Sequence, residues 1–350
     1  MGLFSLGGDN LFLGLDIGDS SLKMVELKKR NRQVVLSNYA FSENVKEINF
    51  TKTEDTDYLA KAVVKVKDEA GITSQRVTAS LPTFAVFSSI INLTSVDKRN
   101  LATAVNEEAK KVIPLPPEDM ILDWKIIPAA PGSESDKRNL RIFLTGSPKK
   151  LVQKYLQIFK KAKLALASLE TETFSLVRAL LGNDKATVMI VEIGANSTDL
   201  AVVQESIPVL NRSLAICGST LTKALAEKLS LNYAQAEQFK LDLSLTLQAD
   251  SREELPQLIL KTLEPIVTEI QYMLDFFRSQ GKGEVEKIVL SGGGALLLNL
   301  AEYLAKRLDM KVIIGDPWNR VAYPDELKPI LTEVGPRLAV AIGLALREME

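Results

Sequence analysis

The chain has 350 residues, 46% hydrophobic and 25% charged, with a formal net charge of −1; this describes an ordinary globular protein of about two domains, without the basic field that DNA or RNA binding needs. Its lack of histidine and its single Cys217 exclude zinc chemistry of the usual kind, a Ser-His-Asp triad and an internal disulfide, and fit a reducing compartment. No apolar run approaches the roughly 20 residues that cross a bilayer, and the opening MGLFSLGGDN lacks a signal-peptide core and has Leu6 where a myristoylation signal wants Ser or Thr, so a cytosolic protein is expected.

Residues 11 to 17, 22 to 30 and 33 to 41 read as a three-stranded meander with turns at 18 to 21 and near Asn31. A helix follows over 57 to 70, stopped by Gly71, then strands over 77 to 81 and 86 to 93. The stretch 97 to 112 reads as a helix closed by Pro114, Pro116 and Pro117. Strands over 121 to 127 and 140 to 145 flank a polar loop, and 149 to 162 is an amphipathic helix. Residues 83 to 165 thus read as an inserted α+β module. After a helix at 172 to 181, the strands 186 to 193, 199 to 204 and 207 to 216 repeat the opening meander. Helices over 219 to 229, 233 to 241 and 256 to 280 come next. The strand 285 to 290 then delivers Ser291-Gly292-Gly293-Gly294 to a helix at 295 to 308, and 337 to 350 reads as a closing helix rich in small residues.

Two hairpins carry the chemistry. GLDIGDSSLKMVEL ends its first strand on Asp16 and turns at Gly18; MIVEIGANSTDLAVV ends on Glu192 and turns at Gly194. Each places small hydroxyl or amide residues after a glycine that lets backbone approach a phosphate, so the two hairpins face to face would clamp one. The SGGG loop between a strand and a helix start offers N–H groups to a phosphate or ribose. Each signal alone is weak. Their order is more telling: hairpin, roughly 175 residues, hairpin, roughly 100 residues, SGGG, on a duplicated α/β frame.

This constellation resembles the actin-like ATPase superfamily, and within it most specifically the PilM family of type IV pilus assembly, relatives of the cell-division protein FtsA. The resemblance is carried by LFLGLDIGDSSLKMVEL, VIPLPPEDMILDW, VEIGANSTDLAVV, ICGSTLTKALAEKLSLNYAQAEQFK and IVLSGGGALLLNLAEYLAKRL. It implies a ribonuclease-H-like duplicated two-domain fold: an N-terminal domain of residues 1–82 and 166–182 with the helix 335–350 packed back on it, an inserted subdomain 83–165, and a C-terminal domain 183–334.

The resemblance also implies ATP and Mg²⁺ as ligands. Asp16, Gly18, Asp19, Ser20, Ser21 and Lys23 would form the first phosphate loop, Asp16 acting on Mg²⁺ through water and Lys23 reaching the β and γ phosphates. Glu192, Gly194, Asn196, Ser197, Thr198 and Asp199 would form the second, with Asp16 and Glu192 as the catalytic carboxylates and Asp16, Glu192 and Asp199 around the metal. Gly218 with Thr222 matches a helix-start contact to nucleotide, Glu237 with Lys240 a pair on ribose and adenine, and Gly292, Gly293, Gly294 and Asn299 the adenosine motif.

Two departures from the superfamily pattern bear on mechanism. Asp19 adds a negative charge beside the phosphates, and Glu192 replaces the usual Asp; a displacement near 1 Å can cost on the order of 100-fold in rate, so hydrolysis is expected to be slow or negligible. The implied role is an adaptor of the inner-membrane pilus or related secretion platform. Its implied partners are the N-terminal cytoplasmic tail of a PilN-like membrane protein and the motor platform proteins, with self-association possible and residues 77 to 93 expected along the partner groove. The rival readings are a small-molecule kinase, which would need a further carboxylate in the cleft, and an FtsA-like filament former, which would carry an amphipathic membrane helix after the last packed one; neither feature is read in this sequence.

Overall fold

A computed structural model of the protein describes residues 11–18, 21–31, 33–43, 54–94, 96–127, 139–246, 257–281, 283–297 and 299–349. Asp19 and Ser20 of the first expected phosphate loop lie outside them. In chain order the first meander is β1 (Leu11–Ile17), β2 (Ser21–Arg30) and β3 (Gln33–Glu43), followed by α1 (Glu54–Glu69) and β4 (Arg76–Leu81). Next come β5 (Phe87–Thr94), α2 (Leu101–Val112), β6 (Met120–Ile127), β7 (Asn139–Pro148), α3 (Lys149–Lys161) and β8 (Ala165–Thr171). The second half holds α4 (Glu172–Leu176), a π-helical turn at Val177–Leu181, β9 (Val188–Ile193), β10 (Thr198–Gln204) and β11 (Ile207–Leu214). It continues through α5 (Gly218–Leu229), α6 (Tyr233–Thr246), α7 (Gln257–Ser279), β12 (Lys287–Ser291), α8 (Leu300–Leu308), β13 (Val312–Ile314) and α9 (Lys328–Arg347).

The strands build two five-stranded sheets of one topology, β3-β2-β1-β4-β8 and β11-β10-β9-β12-β13, and a three-stranded sheet β5-β7-β6. In each large sheet the meander is antiparallel and the fourth and fifth strands run parallel to the first. This is the actin-like ATPase architecture, and the repeated pattern expected from the sequence is present strand for strand. The fifth strands, β8 and β13, escape the sequence pattern. β8 is a half-exposed edge and β13 is three residues long, so neither carries a continuous apolar signal.

The sheets stack through helices. On one face of the first sheet, Leu59 and Val63 of α1 and Leu151, Tyr155, Ile158 and Phe159 of α3 meet Leu13, Leu15, Met24 and Val77. Thus α3, read from sequence within the insert, buries its apolar stripe in the first sheet's core. On the other face Leu338, Ala341, Ile342 and Ala345 of α9 meet Val25 and Leu27, while Ala339, Val340 and Leu344 of the same helix meet Val188, Ile190 and Val289 of the second sheet. One helix therefore packs against both sheets. Small residues make this possible: a Cβ on Gly343 would stand 1.9 Å from the Ser175 carbonyl oxygen where α9 crosses α4.

By length and hydropathy alone this segment could cross a membrane, the apolar run that the sequence was expected to lack, but 72% of the window is buried in the protein. The helix also starts earlier than expected, at Lys328, and runs through Pro336. The helix expected at 295 is delayed: Gly293–Leu296 forms a 3₁₀ turn and left-handed Asn299 (φ 57°) precedes α8. Finally, β4 lies inside the first sheet with Val77–Leu81 buried, so it cannot wall a partner groove; the expectation narrows to Phe84, 59% exposed, and half-buried β5.

Candidate nucleotide site

The two hairpins meet across one cleft. Asp16, Gly18, Ser21 and Lys23 line it from the first sheet, and Glu192, Gly194, Asn196, Ser197 and Asp199 from the second. Their turns are alike: Gly18 N–H donates to the Ser21 carbonyl at 3.0 Å, and Gly194 N–H to the Ser197 carbonyl at 2.9 Å. The strands that leave each turn pair Asp16 with Lys23 in one copy and Glu192 with Asp199 in the other. Equivalent positions thus hold an acid–base pair on one side and two acids on the other.

In the first hairpin Lys23 Nζ donates to Asp16 Oδ2 at 2.9 Å, and Ser80 of the parallel neighbour β4 donates to Asp16 Oδ1 at 2.8 Å. Burial opposes the Lys23 charge, but the Asp16 and Glu192 carboxylates outweigh it and hold its pKa above the ordinary amine value. In the second hairpin the Ser197 hydroxyl donates to Asp199 Oδ2 at 2.9 Å, while Asp199 Oδ1 is buried with no hydrogen-bond partner among the described residues. Burial pushes Glu192 up to about 8; Lys23 opposes this, and Asp199 and Asp16 add to it. Burial also raises Asp199, against hydrogen bonds from Ser213 and Ser197.

A further carboxylate stands in this cleft that sequence reasoning did not assign. Glu172, at the start of α4, lines it with Pro82 and Phe84. Its Oε2 accepts the Thr83 N–H at 2.8 Å and the Thr83 hydroxyl at 3.1 Å. Burial, then the Asp16, Glu192 and Asp199 charges, raise its pKa well above the carboxylate range. The available signal was a strand ending directly on a helix that begins with Glu. It went unread because β8 itself went unread.

The remaining expected residues fall into two groups. The α5 start docks on the second loop, Gly218 N–H donating to the Gly194 carbonyl at 2.9 Å. Beside it, Lys240 Nζ donates to Thr222 Oγ1 at 2.9 Å, to Glu237 Oε2 at 2.8 Å and to the Gly218 carbonyl at 3.3 Å; the Thr222 hydroxyl also donates to Glu237. The other group sits at the end of β9. Gly292 has φ 78°, and a Cβ there would stand 2.4 Å from the Ile193 carbonyl oxygen; one on Gly294 would stand 2.3 Å from the Ile193 side chain. These two glycines seat the SGGG loop against β9, while exposed Gly293 leaves room above it, with Arg337 Nε 3.7 Å from its Cβ direction. Asn299 occupies the N-cap of α8 instead of the cleft wall. Thr198 is buried, and its hydroxyl donates to the Ile216 carbonyl at 2.6 Å, away from the cleft. Buried Cys217 caps α5. Burial opposes its ionisation, but hydrogen bonds with Ser219 and Thr220 prevail and lower its pKa.

The site fits Mg²⁺ held through water. Clustered carboxylates with raised pKa values and an orphaned Asp199 oxygen are a hard, electron-rich donor set. Among the described residues no three acidic or thiol groups stand close enough to hold a metal ion by themselves.

Fold and cleft together define an actin-like ATPase architecture, and solved structures share it. The ethanolamine utilization protein EutJ from Carboxydothermus hydrogenoformans matches at 15% identity and TM-score 0.57, covering 97% of this chain and 90% of that one. MreB5 of Spiroplasma citri, solved bound to ADP, matches at 12% and 0.53, covering 97% and 96%. A structure of a PilM-PilN type IV pilus biogenesis complex matches at 27% identity and TM-score 0.83, over 97% of this chain and 98% of that one. In sequence, the cell division protein FtsA of Streptococcus pneumoniae serotype 2 (strain D39 / NCTC 7466) is 23% identical over 88% of this chain and 76% of its own length. The profile of the type IV pilus assembly protein PilM family matches residues 14–349, and the chain belongs to that family.

Proposed function

We propose that this protein is an ATP-binding adaptor of the inner-membrane platform of a type IV pilus or related secretion machine. On this reading it sits in the cytoplasm and is held at the membrane by the N-terminal tail of a PilN-like protein. The observation that carries the nucleotide reading is the facing of Asp16–Lys23 and Glu192–Asp199 across one cleft. The family membership and the likeness to a PilM-PilN complex support the partner.

Lys23 would leave Asp16 for the β and γ phosphates, and Asp16, Glu192 and Asp199 would hold Mg²⁺ through water. When bound, that ion would neutralise phosphate charge and so lower the cost of ionising these carboxylates. Burial, with Asp199 and Asp16 beside it, favours the protonated form of Glu192, and positive charge entering the cleft would favour its ionisation. Glu172, once ionised, would accept a hydrogen bond from a water in the cleft and orient it. Gly218, Thr222, Glu237 and Lys240 take the ribose and the adenine face, and the 292–294 loop the adenosine. The division expected from sequence stands in this proposal, with α3 counted beside α1.

The kinase alternative loses its argument from absence, because Glu172 is the extra carboxylate the sequence was thought to lack; family membership favours the adaptor. Slow hydrolysis remains part of the proposal. Single-turnover measurements should give rates far below the ordinary kinase range of about 1–100 per second, and turnover within that range rejects the adaptor mechanism. Anisotropy titration with a labelled PilN-like tail peptide should saturate, and a full titration without change rejects the partner.

A further inference from the structure

β4 ends at Leu81, opposite Thr171 of β8. The chain leaves the first sheet at Pro82 and reaches the inserted sheet through one 3₁₀ turn, Thr83–Ala85. Both polar groups of Thr83 point back at a single oxygen, Glu172 Oε2, at 2.8 and 3.1 Å, with the Thr173 hydroxyl 3.4 Å from that of Thr83. Glu172 is at the same time a cleft carboxylate facing Asp16 and Glu192. Flanking Pro82 and Phe84 line the cleft, and Phe84 presents 59% of its surface to solvent. The entrance to the inserted module is therefore hydrogen-bonded to the wall of the phosphate cleft. On its far side the module touches the second sheet, where Asn211 of β11 donates to Ser88 of β5 at 3.0 Å.

We propose that Thr83 positions Glu172 and, through it, couples occupancy of the phosphate cleft to the setting of the inserted module, an inference that rests on the nucleotide reading above. While Glu172 accepts both Thr83 bonds, its carboxylate and the 83–85 turn are fixed together. When Glu172 turns to accept from a water in the occupied cleft, it releases Thr83, and the turn, with Phe84, is free to reset the insert. Coupling of this kind is reciprocal. Whatever holds the insert in its released setting therefore favours the occupied cleft.

Spin labels at Lys61→Cys on α1 and Lys125→Cys on β6, both exposed, in a Cys217→Ser background of the full chain, read the distance between first sheet and insert. Saturating Mg²⁺ with a non-hydrolysable ATP analogue should shift the parent's distance distribution. In Thr83→Val, which removes the hydroxyl at nearly constant shape, the shifted population should be raised about tenfold before any ligand is added. Thr83→Ser, which keeps the hydroxyl, should behave as the parent. A ligand-free Thr83→Val distribution equal to the parent's overturns the proposal, as does an analogue that binds the parent calorimetrically without moving the labels. An analogue that does not bind the parent at all overturns the nucleotide reading itself, and the coupling falls with it.

Discussion

The two hairpins have one backbone and opposite chemistry. Each spans a carboxylate, a glycine two residues on, and a charged residue seven positions after the carboxylate, joined by the same N–H to carbonyl bond across the turn. In the first copy that charged residue is Lys23, which neutralises Asp16 at 2.9 Å; in the second it is Asp199, which leaves Glu192 facing another acid. The result is a division of labour from one substitution of sign. The first hairpin is internally balanced and the second sets two acids opposite one another; on the proposed reading the first lends an ammonium to phosphate and the second takes the metal. Burial raises the Glu192 pKa to about 8; Lys23 opposes the rise, and Asp199 and Asp16 add to it.

Four tests break or sharpen this contrast. Lys23→Ala should have the largest effect, removing the one ammonium that lines the cleft among the described residues and leaving Asp16 unbalanced; ATP affinity by calorimetry should fall about 100-fold. Next, Gly292→Ala should lower stability by roughly 2–4 kcal/mol in denaturant unfolding, because the backbone has φ 78° and the new Cβ would meet the Ile193 carbonyl at 2.4 Å. Gly293→Ala beside it should change stability by less than about 0.5 kcal/mol.

The third test uses pH. A carboxylate whose pKa rises on folding binds its proton more tightly folded than unfolded, so its effect on stability is most favourable at low pH and declines as pH rises. For Glu192 the decline should run from its ordinary 4.5 to about 8 and amount to a few kcal/mol at most, on the order of 1.4 kcal/mol per unit shifted. Glu192→Gln should flatten the profile across that range, and Mg²⁺ with ATP should flatten it in the parent. The smallest effects compare the turns themselves. Gly194→Ala places a Cβ 3.0 Å from the Ser197 carbonyl and should cost about 1 kcal/mol of stability. Gly18→Ala meets nothing closer than 3.4 Å, yet its methyl points toward Lys23 Nζ. It should leave stability within about 0.5 kcal/mol while weakening nucleotide binding.

Much of this architecture was legible because the first strand of each meander is buried on both faces. Strands such as β1 and β9 must be apolar nearly throughout, and Asp16 and Glu192 stand out at their ends. The parallel edge strands were not legible. β8 and β13 bury little, so their sequences need not alternate or run apolar, and with β8 went Glu172, a functional residue defined by what it follows. Nor could spacing separate Thr198, whose hydroxyl serves the Ile216 carbonyl, from its cleft-facing neighbours Ser197 and Asp199; strand alternation and one long-range bond decide that. The glycine triplet was legible as a motif but not as a division between seating glycines and an open one, because that depends on Ile193, a hundred residues earlier in the chain and one strand over.

Isothermal titration of the folded protein with ATP, in Mg²⁺ and in excess chelator, tests the central claim most directly. The account predicts saturable heat in Mg²⁺, affinity at least about tenfold weaker in chelator, and loss of most binding in Lys23→Ala. No heat with Mg²⁺ and ATP, or equal affinity in Lys23→Ala, would contradict it.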